Sequence, residues 1–133
     1  MAKITQDIID LVNDRKRVGV VCTVNPNGEP NVAYFGSPRF RDKKSISMGL
    51  TGGRTLENLK TNPNAVFFCV EPGPVTFTTP AVRLYLRVKS IETGGDLLKQ
   101  IKTEVSERVN PDVAAMISSA ISFEITEIRR LVD

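Results

Sequence analysis

At 133 residues, with 41% apolar and 25% charged side chains, the chain has the length and make-up of one globular domain with its own core. Eighteen basic against fifteen acidic side chains leave a scattered charge of +3; no basic run is interleaved with aromatics, so no nucleic-acid surface is expected, and no apolar stretch approaches the ~18 residues of a membrane span. Histidine is absent, which excludes Ser–His and Cys–His catalytic pairs, histidine-ligated haem and the usual zinc sites, and leaves any redox or transfer chemistry to a cofactor.

Residues 5–15 read as a helix that Thr5 can cap, with Ile8, Ile9, Leu11 and Val12 as its apolar stripe and Asp7, Asp10 and Asp14 toward water. Residues 17–24 (RVGVVCTV) are a valine-rich, mostly buried strand. Asn25, Pro26, Asn27 and Gly28 make a hairpin turn, and residues 29–35 run back antiparallel until Gly36, Ser37 and Pro38 interrupt them. The cluster Arg39, Arg41, Lys43 and Lys44 reads as a solvated loop, with a charged turn over residues 40–44. Residues 45–50 form the third strand, where Ser45, Ser47 and Gly49 leave room on one face for a packed helix or for a ligand.

Strand three runs into Thr51, Gly52, Gly53, Arg54 and Thr55, and a short helix follows through residue 61. Helix-start amides carry partial positive charge, and a guanidinium and two hydroxyls beside them suit a phosphate. The alternative is a plain strand-to-helix turn with Arg54 solvated. Residues 65–70 (AVFFCV) are a buried fourth strand, and residues 71–80, with three prolines, a loop or irregular edge. Residues 82–91 alternate cleanly, Val82, Leu84, Leu86 and Val88 against Arg83, Tyr85, Arg87 and Lys89. The second set belongs to a site, a subunit interface or solvated surface. Asp96 caps a helix to about residue 108, Asn110 and Pro111 open a shorter one over residues 112–119, and residues 120–128 alternate as the last strand. Cys22 and Cys69, both in apolar runs and with no signal peptide, predict reduced thiols in the cytoplasm. The expected fold is mainly β (α+β): about six antiparallel strands in a closed or split barrel with peripheral helices, in a single domain spanning residues 1–133.

In order and spacing, VGVVCTVNPNGEPNVAYF, ISMGLTGGRTLENLKTNPNAVFFCV and RLYLRVKSIE resemble the pyridoxamine 5'-phosphate oxidase-like FMN-binding split-barrel family. The resemblance covers residues 5–128. It implies a homodimer with FMN at the interface. The flavin phosphate would lie by Thr51, Arg54 and Thr55, with Asn58 supporting the turn. The isoalloxazine ring would lie along Val32, Ala33, Tyr34, Phe35, Gly36 and Ser37, facing Met48, Gly49 and Leu50. The partner subunit would contribute from Val82 and Arg83. Where many relatives carry a lysine, this chain has Thr55, and the residues that hold a vitamin B6 substrate are not recognisable. The implied activity is a flavin oxidoreductase that passes electrons from NAD(P)H through FMN to a small-molecule acceptor. The alternatives are an electron-carrying flavin module, a deazaflavin-dependent reductase and a barrel with no cofactor. A valine at Gly49 is expected to block the ring face and leave the barrel folded.

Overall fold

The computed structural model describes residues 3–132. Helix α1 (Gln6–Asn13) starts at Thr5, whose hydroxyl turns to the Asp7 carboxylate and leaves the backbone amides uncapped. Strands β1 (Val18–Val24) and β2 (Pro30–Tyr34) form the expected hairpin. Its turn is held by Asn25, whose side-chain oxygen accepts from the Asn27 and Glu29 amides at 2.9 Å each. Then come β3 (Arg39–Phe40), β4 (Ser45–Leu50), α2 (Arg54–Thr61), β5 (Asn64–Val70), β6 (Ala81–Glu92), α3 (Asp96–Arg108), α4 (Pro111–Met116) and β7 (Ser119–Arg130).

The strands form one antiparallel sheet in the order β2-β1-β5-β6-β7-β4-β3, curled into a split barrel. There are seven strands among the described residues where six were expected. The addition is β3: Arg39 and Phe40 pair with Ser47 and Ile46 where a charged turn was expected. Two residues between a proline and a charged loop are too few for alternation to register. Two helix starts also move. Gly95, at φ 94°, is the N-cap of α3, so Asp96 is its first residue and not its cap. Helix α4 starts at Pro111 and ends at Met116, so Ser119 opens β7; Asn110 caps it, accepting from the Val113 amide at 2.8 Å.

Alternation along the strands sends one set of side chains inward. Val21, Ile46, Met48, Leu50, Phe67, Leu84, Ile121 and Phe123 fill the barrel with no more than 1% exposure each, and each such burial is worth about 1.5–3 kcal/mol. A second cluster, Leu98, Ile101, Ile117 and Ala120, fastens α3 and α4 to the outside of β4 and β7. A Cβ on Gly49 would lie 2.8 Å from Ile101 and 2.9 Å from Ile117. On its side-chain side, therefore, Gly49 leaves room for helix packing and not for a ligand.

The two edge strands, β2 and β3, are consecutive in the chain, so residues 35–38 carry it across the seam of the barrel. Arg17 holds that crossing. It is 4% exposed, and its guanidinium donates to the carbonyls of Phe35 (3.2 Å), Gly36 (3.3 Å) and Pro38 (2.7 Å), and to Val12 (3.0 Å). It also lies over the Phe67 ring, 5.2 Å from the centroid. Burial pulls this guanidinium below the usual arginine range. Ser37 adds a second tie: its hydroxyl accepts from the Gly49 amide at 3.1 Å and donates to the Gly49 carbonyl at 3.3 Å.

Candidate functional site

The corner between β4 and α2 is built by backbone conformation. Gly52 and Gly53 take φ values of 118° and 87°, which side-chain-bearing residues rarely adopt, and a Cβ on either would meet open space. Gly53 is the N-cap and contributes no side-chain acceptor, so the first amides of α2 remain available. Thr51 and Arg54 stand exposed at this corner. Thr55 and Asn58 are buried beneath it, and the Asn58 amide donates to the Thr23 hydroxyl at 2.9 Å, fixing α2 to β1.

Beside the corner lies a cleft of about 380 Å³, a size usual for small-molecule sites. One wall is the seam, Tyr34, Phe35, Gly36 and Ser37, with Gly49 and Thr51 from the end of β4. The opposite wall comes from α3, α4 and the residue after α4, through Val105, Arg108, Val109, Val113 and Ile117, with Arg15 at the edge. Six of the residues named from the resemblance thus share one cleft. Val32 is exposed and Ala33 half-buried on β2. Met48, Leu50 and Val82 turn their side chains into the core, leaving only backbone on the outside. Arg83 is half-buried on the outer face of β6, where it donates to the Arg130 carbonyl at 3.0 Å.

The helical wall is not legible in the sequence, because an apolar helix stripe shows that it covers something without showing what. Nor are Arg15 and Arg108, which are 93 positions apart. A second hollow of about 430 Å³ lies between α3 and α4; it is shallow and shares no residue with the cleft.

The chemistry available from side chains is limited. Among the described residues no group of three or more His, Cys, Asp or Glu could hold a metal. Burial pushes the Cys69 thiol up to about 12, against a smaller opposing pull from Arg17, so Cys69 is no nucleophile near neutral pH. The cleft can bind and orient, and a bound group would have to supply reactivity. No described helix is long and apolar enough to cross a membrane.

Fold and cleft together define a small split-barrel protein with a ligand-sized site at its seam. The sequence profile of the pyridoxamine 5'-phosphate oxidase family matches residues 4–129, and the chain belongs to that family. Among curated proteins, none matches the sequence significantly. Among solved structures, the fold is similar to an FMN-binding protein from Syntrophomonas wolfei subsp. wolfei (18% identity, TM-score 0.85, 98% of this chain and 87% of that one). It is also similar to an F420 reductase (20%, 0.68, 90% and 94%) and to HutZ, the haem storage protein of Vibrio cholerae (18%, 0.66, 97% and 95%). At these identities the likeness shows the fold alone.

Proposed function

We propose that the chain is a single FMN-binding domain that works as a cytoplasmic homodimer and an oxidoreductase, taking electrons from NAD(P)H and passing them to a small-molecule acceptor. The observation that carries this is the junction at Thr51, which lines the cleft and is joined through Gly52 and Gly53 to the start of α2 at Arg54. A phosphate at one end and a flat ring along the seam match that junction. When bound, FMN supplies hydride and single-electron transfer. The chain's part is to hold it. Arg54 and the first amides of α2 neutralise the phosphate, while the backbone of residues 34–37, fixed by Arg17 and Ser37, offers a rigid edge to the ring. The similar FMN-binding protein supports this choice, and the family profile agrees with it. The F420 reductase keeps a deazaflavin as the second reading, since its phosphate would use the same Arg54 corner. Haem fits poorly, because the chain has no histidine, the commonest protein ligand of haem iron.

Arg54→Ala is expected to weaken FMN binding by about 1.5–3 kcal/mol, the worth of a charge-assisted contact. Fluorescence quenching of FMN during titration reads this directly, and an unchanged affinity would remove Arg54 from the site.

The outer face of the sheet supports the dimer. Val20 and Cys22 of β1, Val66 and Phe68 of β5 and Tyr85 of β6 are half-buried side by side, while Val32 and Tyr34 of β2 are 60% and 63% exposed on the same face. A continuous apolar patch of this kind is what a second copy of the chain would cover. Val66→Glu is expected to turn a particle of twice 14.7 kDa into one of a single chain, measured by light scattering, and to lower FMN retention with it. A monomeric wild type would end the dimer proposal.

A further inference from the structure

The cleft itself is lined by two cations. Arg15, just past α1, and Arg108, in the last turn of α3, both line it. Arg39 and Arg41 stand close enough to act on the same charge: burial lowers the Arg108 guanidinium first, Arg15 and Arg39 lower it further, Glu104 pulls it back in part, and Arg41 adds a smaller lowering. Glu104 is the carboxylate in this group, and Arg41 already engages both of its oxygens, at 2.5 and 2.7 Å. Burial pushes Glu104 up, but the Arg41 contacts outweigh it, and the carboxyl sits below the usual range, ionised and committed to Arg41. Among the described residues, no hydrogen bond or ion pair engages the guanidinium of Arg15, Arg39 or Arg108. A cation near a helix C-terminus is ordinary for Arg108 alone. That does not account for Arg15, which comes from a different part of the chain and lines the same cleft.

We propose that Arg15 and Arg108 form an anion subsite for the second ligand of the cleft: a small molecule with an aromatic or aliphatic body and a terminal carboxylate or phosphate. Guanidinium forks match the planar oxygens of such groups and bind them by charge-assisted bonds. Beside them Phe35, Val105 and Ile117 give the cleft an apolar wall that can receive the body of such a ligand. Calling this ligand the second one rests on the flavin occupying the Arg54 end. The subsite itself does not depend on it.

The test is calorimetric titration of the protein, with and without FMN, using 2-naphthoate, 2-naphthyl phosphate and neutral 2-naphthalenemethanol. The expected result is binding of at least one of the two anions about tenfold or more tighter than the alcohol. Which anion binds tighter tells a carboxylate ligand from a phosphate ligand. In the R15Q/R108Q double variant the preference should vanish while the melting temperature and FMN affinity stay at wild-type values. The R15K/R108K double variant should recover part of the preference. No preference in the wild type, or a preference that survives the glutamine variant, overturns the subsite. Loss of FMN affinity in the glutamine variant also overturns it, since the arginines would then belong to the flavin. If the wild type shows the preference but never binds FMN, the flavin reading fails and the subsite stands.

Discussion

Arg17→Ala is expected to destabilise the protein by about 3 kcal/mol or more, the largest effect of any single substitution considered. Hydrogen bonds to a charged donor contribute about 1.5–3 kcal/mol, and carbonyls left buried without a donor carry their full desolvation penalty. Arg17 serves four carbonyls, three of them in the residues 35–38 that cross the barrel seam. Its removal also empties the space over Phe67 and beside Gly19, where the guanidinium lies 3.1 Å from the Cβ position. Arg17→Met restores much of the packing but none of the hydrogen bonds, so it should recover only part of the loss. Urea denaturation of the three proteins measures both. Because residues 34–37 form one wall of the cleft, ligand binding should fall together with stability. A midpoint within error of wild type for Arg17→Ala would mean that water reaches these carbonyls and that the seam is held by Ser37 alone.

Gly49→Val is the second large effect, expected to destabilise by about 1–3 kcal/mol. Its Cβ alone would stand 2.8 Å from Ile101 and 2.9 Å from Ile117, and valine adds two further methyl groups. Helices α3 and α4 would have to move away from β4, taking Val105, Arg108 and Ile117 out of the cleft wall. A clean block of the ring face on an intact barrel, the expectation from sequence, is therefore replaced by loss of helix docking. The same denaturation experiment reads it, with Gly49→Ala showing a smaller shift. A valine variant as stable as wild type would show that α3 packs more loosely on β4 than its contacts imply.

Much of the barrel was legible because alternation is a local signal. Val82, Leu84 and Leu86 point inward as their spacing predicts, and the Asn25–Gly28 turn forms where its residues require. The β4–α2 corner was legible because two consecutive glycines before Arg-Thr have few other uses, and both take positive φ. Arg17 was not legible. An arginine opening a strand reads as surface, and its four acceptors come from backbone that only the seam crossing brings near. The basic stretch at Arg39 and Arg41 read as a solvated loop for the same reason: its partner Glu104 lies on a helix 63 positions away. Gly49 carried two open meanings, and the docking of α3 chose between them, because no sequence period specifies which surface an amphipathic helix covers.

FMN at the seam of the split barrel is the proposal on which the rest depends. The most direct measurement is the visible spectrum of the protein after it is mixed with FMN and desalted. The expected result is a retained flavin spectrum at about one FMN per chain and a melting temperature that rises with added FMN. A colourless protein whose melting temperature is unmoved by FMN would rule out a flavin at the seam.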